Sequence, residues 1–409
     1  MADATCLGCG CACDDIEATV VEGRLAGLTR TCPLGDLWFA ERGGDRPPVA
    51  RVEGQAASIE EAADAAAAIL RQARAPLVYG LGQTSCEAQR RAVALAEAIG
   101  AAVDPAGGGA AGLAYQSIGS STATFGEIRD RAELAIAWRA DPVLTNPRLL
   151  GRLRLDRAAR ADRAPSEPRP PADRALVVVD AEPTATADEA DSFVELDAAR
   201  DVEALRVLRA LATHTPFDHD RAEDLPLDAL GDLAGQIRGA GHVAVLHGAL
   251  GELEAFALFE LVRDLARDRH AVTLALRGDG NARGAEDVLA WQTGFPAAVS
   301  FARGHPRANP GELSAAALLE RGEVDAALIV ASDPLEELPA LRDLPTVVVD
   351  VRTTATAAAA RVAFAAAPDG IQVAGTVHRM DGVPVPLRAL LAADRPSVED
   401  VLAAIGGRV

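Results

Sequence analysis

Lysine is missing from this sequence, in which all 40 basic residues are arginine. A protein without lysine has no side-chain amine for Schiff-base chemistry and no lysine to hold the phosphates of a nucleotide in a Walker loop. Both kinds of mechanism are therefore excluded. Codon bias in a GC-rich genome is the simplest cause of such a composition, and the exclusion holds whatever the cause.

Aromatic residues are also few, and basic residues are fewer than acidic ones. Aromatics make up 3% of the chain, so alanine and aliphatic side chains must fill the interior. The 60 acidic residues outnumber the 40 basic ones, and the net charge of −20 would repel a nucleic acid or an anionic membrane surface. We therefore expect neither nucleic acid nor a membrane as a partner.

Long hydrophobic runs are absent too. Segments rich in alanine, such as EEAADAAAAIL, are interrupted by charges well short of a membrane span, and the opening residues lack the basic and apolar regions of a signal peptide. We therefore expect a cytoplasmic protein. In that reducing compartment, crowded thiols indicate metal ligation or redox chemistry before disulfides.

Strand and helix patterns alternate along most of the 409 residues. SIEEAADAAAAILRQAR has the apolar period of an amphipathic helix, whereas APLVYGLG, ELAIAWRADP and ALVVVDAEPT are short apolar runs typical of buried strands. The alternation predicts an α/β fold: a small amino-terminal cysteine module and two doubly wound, Rossmann-like domains, each with a parallel sheet covered on both faces.

Composition and pattern divide the chain into five expected segments. They are a cysteine module at 1–50 with a hairpin turn at Glu22-Gly23, a first α/β domain at 51–150 completed by part of the carboxyl-terminal region, a linker or surface excursion rich in proline and arginine at 151–175, a second α/β domain at 176–350, and a carboxyl-terminal segment at 351–409 that packs back on the first domain. The similar strand tails WRADP and VASDP suggest two similar domains whose ligand crevice the tails line. The alternative is that Asp-Pro only ends a strand.

Five of the six cysteines lie near the amino terminus. Cys6, Cys9, Cys13 and Cys32 have the spacing CxxCxxxC, eighteen residues, then C, while Cys11 is spare. A tight glycine-containing loop with three thiolates, closed by a distant fourth, is the arrangement that a 4Fe–4S cluster needs. Tetrahedral zinc more often uses two CxxC pairs, which this chain lacks. The spacing therefore favours a cluster over zinc or over thiols that bind nothing.

Longer motifs point to a family. CLGCGCACDDI, WQTGFP, RGHPRANPGE, VDAALIVASDP and GTVHRMDGVPVPLR strongly resemble segments of the B subunit of formylmethanofuran dehydrogenase, within the superfamily of molybdenum and tungsten pterin oxidoreductases. The resemblance covers nearly the whole chain except 152–174 and is greatest to the B subunit of the bacterial formyltransferase/hydrolase complex. It implies the fold of the superfamily's large subunits without their carboxyl-terminal β-barrel domain.

The resemblance also implies where a redox metal would bind and shows a departure at that place. In the family, tungsten or molybdenum is held by two pterin dinucleotides and by a cysteine or selenocysteine in a Cys-His-Gly stretch. The matching stretch here is VDPAGGGAAG, in which Ala110, Ala111 and Gly112 stand at those three positions. Alanine has no lone pair for a metal and no group for proton transfer. The resemblance thus implies a degenerate site with no catalytic residue, no molybdenum or tungsten ligand and no bound pterin.

Partners and function follow from the same resemblance. It implies an amidohydrolase-type subunit, a formyltransferase subunit and a β-helix subunit as partners, in methanopterin-linked formaldehyde oxidation. A complex that only hydrolyses and transfers formyl groups needs no electrons, so we expect a redox-inactive scaffold subunit. One alternative is an active molybdenum or tungsten formylmethanofuran dehydrogenase whose metal has an oxygen ligand, such as Asp104 or Ser117, or no protein ligand. Another is an electron-transfer or structural metal module whose cluster only stabilises the amino-terminal lobe.

Four other features have a structural and a functional interpretation. Cys86 and His378 are expected to be structural, and GDGNARG is only a weak match to a phosphate-binding loop. Arg139 stands where the resemblance suggests a small residue, so its bulk is expected to occupy the pterin crevice.

Overall fold

The computed structural model describes residues 2–43, 47–106, 112–161, 174–218, 222 and 224–409. The chain forms two compact units. One, here called the discontinuous unit, comprises Met1–Gly112 and Gly278–Val409, and the other, the central unit, comprises Leu113–Arg277. None of the helices in these described parts has the length and hydropathy that a bilayer span requires.

The strands and helices follow one another in close alternation. In chain order the strands are β1 (Ala2–Ala4), β2 (Ile16–Val21), β3 (Arg24–Thr29), β4 (Ala50–Val52), β5 (Gln55–Ala56), β6 (Pro76–Gly80), β7 (Ala102–Pro105), β8 (Leu134–Trp138), β9 (Ala175–Asp180), β10 (Ser192–Glu195), β11 (His242–His247), β12 (His270–Ala275), β13 (Val299–Ser300), β14 (Arg307–Ala308), β15 (Ala326–Val330), β16 (Thr346–Asp350), β17 (Val362–Ala365), β18 (Gly375–His378) and β19 (Pro384–Leu387). The helices are α1 (Pro33–Gly43), α2 (Ile59–Gln72), α3 (Cys86–Ile99), α4 (Gly112–Ile118), α5 (Phe125–Arg131), α6 (Pro142–Thr145), α7 (Leu149–Leu153), α8 (Arg157–Ala161), α9 (Ala185–Glu189), α10 (Asp201–Ala212), α11 (Leu227–Gly239), α12 (Glu252–Leu265), α13 (Ala282–Thr293), α14 (Pro310–Leu313), α15 (Ala315–Glu320), α16 (Ala355–Ala359) and α17 (Val398–Gly406). Short 3₁₀ helices cover Ala198–Arg200 and Pro339–Asp343.

A large mixed sheet forms the core of the discontinuous unit. Its strand order is β14-β13-β7-β6-β15-β16-β17-β4-β5, with β7, β6, β15, β16 and β17 parallel. Val78 and Leu328 pack in a core with α2, α3, α13 and α17, whereas Leu77 and Ile329 pack in a core with α15. Because neighbouring residues of one strand enter opposite cores, both faces of the sheet are buried and its strands are uninterrupted apolar runs.

The amino-terminal module is a small antiparallel sheet of β1, β2 and β3, followed by α1. The predicted hairpin turn is confirmed, because Glu22 and Gly23 both have positive φ, 49° and 74°. The residues between β1 and β2 form the loop that carries Cys6, Cys9, Cys11 and Cys13, here called the cysteine loop.

The central unit is built on a parallel sheet of order β10-β9-β8-β11-β12. The apolar runs ELAIAWRADP and ALVVVDAEPT supply β8 and β9, as predicted, and the run HVAVLHGAL supplies β11. Together with the mixed sheet of the other unit, this confirms the α/β class of the fold.

The units are bounded differently from the expected domains. β8 was expected in the first domain, but it is hydrogen-bonded to β9 and β11 and so lies in the central unit. β15 and β16 were expected in the second domain, but they extend the sheet of β6. Apolar strands look alike in sequence, and which sheet each joins depends on the connections between them. The carboxyl-terminal residues 351–409 lie in the discontinuous unit, where α17 packs in the same core as α2 and α3.

Both ends of the expected linker at 151–175 are folded. Leu153 at the end of α7 and Leu155 after it are buried, and α8 begins at Arg157. The guanidinium of Arg174 donates to the carbonyl oxygens of Ile128 and Ala132 at 3.0 and 2.9 Å. Residues 162–173 lie outside the described part of the chain. Leu153 and Leu155 at one end and Arg174 at the other attach the segment to the central unit. The proline-rich composition between them did not indicate these contacts.

His247, at the end of β11, is buried and uncharged. Burial lowers the pKa of its imidazole from 6.5 to about 4, although Nδ1 lies 2.9 Å from the carbonyl oxygen of Gly248. In the unfolded chain the ring takes up a proton below pH 6.5, and in the folded chain only near pH 4. The stability that it supplies is therefore complete above pH 6.5 and is lost as the pH falls toward 4. Between these two pH values, His247 changes the free energy of unfolding by about 3 kcal/mol.

We expect the substitution His247→Asn to flatten this pH dependence, because asparagine can still donate to the Gly248 carbonyl but does not titrate. The measurement is the free energy of unfolding in urea above and below this pH range, compared between wild type and variant. His214→Asn is the matched control, since His214 is exposed in the same unit and its φ of 54° suits asparagine. Equal pH dependence in wild type and His247→Asn would contradict the prediction.

Candidate functional site

The large sheet of the discontinuous unit has a point where its strand order reverses. β7 follows β6 on one side, whereas β16 and β17 follow β15 on the other. Ligands of open α/β sheets bind beyond the carboxyl ends of the strands at such a point. A cavity of about 390 Å³ lies there, here called the crevice, and its wall includes Tyr79, Gln83, Ala331, Ser332 and Asp333.

The amino-terminal module forms another wall of the crevice. Gly8 of the cysteine loop and Leu34, Trp38 and Arg42 of α1 line it. Arg42 lies over the ring of Trp38, with its guanidinium carbon 4.8 Å from the ring centroid. The cysteine loop and the sheet edge therefore meet at one site.

The cysteine loop brings its sulfur atoms together. Cys6, Cys9, Cys11 and Cys13 are buried, and Cys32 is half-buried. Gly35 faces two of the sulfurs, since a methyl group there would lie 3.3 Å from Cys6 Sγ and 3.9 Å from Cys32 Sγ. The backbone N–H of Gly8 donates to Cys6 Sγ at 3.2 Å. Small residues and a backbone donor therefore lie directly against the thiols, as they do around the sulfur ligands of a metal cluster.

The thiols also influence one another. Burial raises the pKa of Cys6 to about 12, and Cys13, Cys9 and Cys32 contribute to the rise through the repulsion of neighbouring thiolates. Hydrogen bonds with Cys13 and Cys9 raise the pKa of Cys11. Cys11, which the spacing leaves spare, is therefore in contact with two of the predicted ligands. Metal binding here must release protons.

The donor set suits a cluster better than a single ion. Within the described parts of the chain, no three His, Cys, Asp or Glu side chains are grouped so that they could hold one metal ion. In a 4Fe–4S cluster each thiolate binds a different iron, so the four sulfurs need not converge on one point. Cys6, Cys9, Cys13 and Cys32 are the residues that would hold it.

A glycine far along the chain supports the cysteine loop. Gly280 lies against the backbone of Leu7, where a methyl group would overlap Leu7 Cα and come within 2.5 Å of its carbonyl oxygen. On the other side, the Met380 N–H donates to the Gly10 carbonyl at 2.9 Å. The motifs GDGNARG and GTVHRMDG therefore hold the loop in position.

Asn281, the next residue after Gly280, is fully buried and joins three segments. Its Nδ2 donates to the Thr84 carbonyl at 2.7 Å, and its Oδ1 accepts from the His378 N–H at 2.7 Å. His378 Nδ1 in turn lies 2.7 Å from Asp287 Oδ2. Cys86 is buried beside Asn281, with Sγ 3.7 Å from Nδ2. The structural interpretations of Cys86 and His378 are confirmed, and GDGNARG has a structural role that its pattern did not reveal.

Carboxylates predominate in the crevice. It is lined by two arginines and four acidic residues: Arg42, Arg352, Glu41, Asp279, Asp333 and Glu337. Arg352 already donates to Glu41 at 3.0 Å. A phosphate-bearing ligand would therefore meet a net negative wall, which disfavours its binding.

The loop that matches the family's metal-binding stretch begins at this crevice. Ala106, after β7, lines it, while Ala110 and Ala111 lie outside the described residues. Gly112 lies beside Pro310, since a methyl group there would be 3.3 Å from its ring. Asp104, considered as an oxygen ligand, accepts a hydrogen bond from the Ala315 N–H at 2.8 Å, and burial raises its pKa to about 6.

Asp141 of WRADP and Asp333 of VASDP have the same role in their own units. Asp141 accepts hydrogen bonds from the N–H groups of Ala185 and Thr186 at 3.2 and 3.0 Å. Asp333 accepts from the N–H groups of Ala355 and Thr356 at 3.1 and 2.8 Å. Each carboxylate ties a strand tail to the helix that follows the neighbouring strand. The two tails are a structural repeat, as the sequence suggested, although their aspartates are engaged by backbone.

Arg139 is held by carboxylates of the central unit. Its Nε donates to both carboxylate oxygens of Asp201 at 3.0 and 3.1 Å, and Nη1 lies 3.3 Å from Asp180 Oδ1. The side chain of Arg139 is 11% exposed and that of Asp201 5%. The guanidinium is thus fixed beyond the end of β8 by an internal ion pair.

These observations define an α/β subunit whose amino-terminal cysteine loop lies at the carboxyl edge of a parallel sheet. Comparison with known proteins finds similar chains among the B subunits of two related complexes. The chain is 32% identical over 409 residues to the B subunit of tungsten-containing formylmethanofuran dehydrogenase 2 from Methanocaldococcus jannaschii, covering 94% of this chain and 92% of that relative. It is also 32% identical over 288 residues to the B subunit of the formyltransferase/hydrolase complex Fhc from Methylorubrum extorquens, covering 69% and 74%.

A solved structure is similar as well. A chain in the crystal structure of the formyltransferase/hydrolase complex FhcABCD from Methylorubrum extorquens, in complex with methylofuran, superimposes with a TM-score of 0.72 at 28% identity, covering 88% of this chain and 98% of that one. No family model matches the sequence. The chain belongs to the family of formylmethanofuran dehydrogenase B subunits.

Proposed function

We propose that this chain is a redox-inactive scaffold subunit of a cytoplasmic formyltransferase/hydrolase complex in methanopterin-linked formaldehyde oxidation. The observation that carries the proposal is the pair Ala110 and Ala111, which replace the metal-binding cysteine and the histidine of the family motif. Neither methyl group can ligate tungsten or molybdenum or transfer a proton. The similarity to the Fhc B subunit and to a chain of the FhcABCD structure supports the complex.

The charge of the crevice supports the loss of the pterin. Glu41, Asp279, Asp333 and Glu337 outnumber Arg42 and Arg352, and Glu41 occupies Arg352. A pterin dinucleotide is anionic, so these residues do not fit it.

The cysteine loop retains a different role in this proposal. Cys6, Cys9, Cys13 and Cys32 hold a 4Fe–4S cluster, which supplies one-electron transfer when bound. Without a redox metal beside it, the cluster would have no site to exchange electrons with, and it would instead link the cysteine loop to Cys32 at the start of α1. The partners that we propose are the amidohydrolase-type, formyltransferase and β-helix subunits of the complex.

The retained cysteine spacing favours a second candidate, an active formylmethanofuran dehydrogenase subunit. A direct assay separates the two. We expect the chain, purified without oxygen together with its partner subunits, to show no formate oxidation with an artificial electron acceptor, because no residue at 110–112 can bind the metal. Metal-dependent turnover well above the background of the acceptor alone would overturn the scaffold proposal.

A further inference from the structure

A second cavity opens in the discontinuous unit at the other edge of its large sheet, where β6 and β7 begin. Its volume is about 270 Å³. Its wall is largely apolar and includes Pro76, Ala102, Leu313, Leu318 and Val324. This volume is smaller than that of a typical cofactor site and suits one apolar side chain.

Two arginines of the motif RGHPRANPGE line the same cavity. Arg303 and Arg307 are both exposed. In the part of the chain that the structure describes, neither guanidinium has a hydrogen-bond or ion-pair partner. The carboxylate of Glu323, which also lines the cavity, is already bound by Arg321 through two hydrogen bonds of 2.9 Å. The cavity therefore has an apolar wall and two cationic groups whose hydrogen-bonding capacity is unused.

The loop between β13 and β14 fixes the backbone positions of the two arginines. β13 pairs with β7, and Arg307 lies opposite Ser300 in the register of β13 and β14. Phe301 is buried and its N–H donates to the Ala101 carbonyl at 3.0 Å, while the Gly304 N–H donates back to the Phe301 carbonyl at 2.8 Å. Gly304 has a φ of 75°, which glycine adopts without strain. The backbone of the loop is thus ordered by the sheet, and only the two arginine side chains have to be ordered on binding.

We propose that the cavity at Arg303 and Arg307, here called the arginine pocket, docks an acidic peptide segment of another subunit of the complex. An aliphatic or aromatic side chain of the segment enters the cavity, and a carboxylate on either side of it binds one guanidinium. The inference rests on the proposed function, since it requires the chain to be a subunit of a complex.

Charge complementarity selects this occupant. Arginine binds carboxylates through two parallel hydrogen bonds, and arginine is enriched in protein interfaces. A long polyanion would be repelled by the net charge of −20. A short segment with two carboxylates contacts only the local positive charge, because charges beyond about 8 Å are screened at physiological salt. The arginine pocket and the crevice are lined by different residues. Docking in the pocket therefore does not depend on the metal-binding stretch that Ala110 and Ala111 alter.

The test uses the complex as it assembles. We would co-express the chain with its partner subunits and measure retention of each partner on the tagged chain at increasing salt, for wild type and for Arg303→Glu/Arg307→Glu. We expect the variant to bind one partner at least tenfold more weakly. Arg303→Gln/Arg307→Gln should show a smaller loss in the same direction. Arg90→Glu/Arg342→Glu, in which two exposed arginines outside the pocket are reversed, is the matched control and should retain every partner.

The outcomes separate the inference from the function on which it rests. If wild type and the Arg303→Glu/Arg307→Glu variant retain all partners equally, the docking inference is wrong and the complex stands. If wild type retains no partner, the proposed function fails and the inference fails with it. Thermal stabilisation by sodium hexanoate that the variant loses, together with unchanged assembly, would assign the pocket to a small carboxylate and overturn the docking of a peptide.

Discussion

The substitution Gly280→Ala should displace the cysteine loop and abolish the binding of iron. The added methyl group would overlap Leu7 Cα and lie 2.5 Å from the Leu7 carbonyl oxygen. These are backbone atoms of a fully buried residue, so no side-chain rotation can relieve the overlap. Overpacking typically costs about 1–3 kcal/mol, and the rigid backbone contact places this change at the upper end. Leu7 lies between Cys6 and Cys9, and its movement changes the spacing of the thiols.

Gly278→Ala provides the matched control for that experiment. It makes the same chemical change two residues earlier, where a methyl group would have nothing within 4 Å. The measurements are the free energy of unfolding in urea and the iron and sulfide bound after anaerobic reconstitution. Gly278→Ala should match wild type in both. Wild-type iron content in Gly280→Ala would show that this contact does not position the loop.

Removing the carboxylate of Asp201 should strongly destabilise the central unit. Arg139 would be left almost fully buried with Asp180, whose carboxylate oxygen is 3.3 Å away, as its remaining acidic partner. Breaking a buried ion pair on one side typically costs about 3–5 kcal/mol, because an uncompensated charge remains in the interior. We therefore expect Asp201→Ala to lower the free energy of unfolding by about that amount.

The reference for this prediction is the double variant Arg139→Met/Asp201→Leu, which removes both charges and keeps most of the volume. Its free energy of unfolding should lie much closer to that of wild type, since an apolar replacement of a buried pair is often neutral. Urea unfolding of the two variants side by side measures the difference. Equal losses in both would mean that packing, and not charge, accounts for the role of Arg139.

Local elements of this fold could be predicted from the sequence because their signals are local. The apolar period of SIEEAADAAAAILRQAR gives α2, and uninterrupted apolar runs supply the buried strands of both sheets. The hairpin turn at Glu22-Gly23 needs residues that tolerate positive φ. Sheet membership could not be predicted in this way. β8 and β15 are equally apolar, yet one lies in each unit.

In the candidate site, too, local features could be predicted from the sequence and long-range contacts could not. The spacing of the cysteines indicated a cluster, whereas the contact of Cys11 with Cys9 and Cys13 depends on the path of the loop. The packing of Gly280 on Leu7 joins residues more than 270 positions apart, and a glycine pattern alone suggested phosphate binding there. Neither the negative wall of the crevice nor the exposure of Arg303 at an apolar cavity can be read from the sequence, because both depend on which side chains fold nearby.

Metal analysis of the assembled complex tests the central claim most directly. The chain would be purified with its partner subunits without oxygen, and iron, sulfide, zinc, molybdenum and tungsten would be measured per polypeptide alongside the visible spectrum. The account predicts about four irons, held by the cysteine loop and Cys32, and no molybdenum or tungsten. Stoichiometric molybdenum or tungsten would contradict it, because the metal would then be bound without the cysteine that Ala110 replaces.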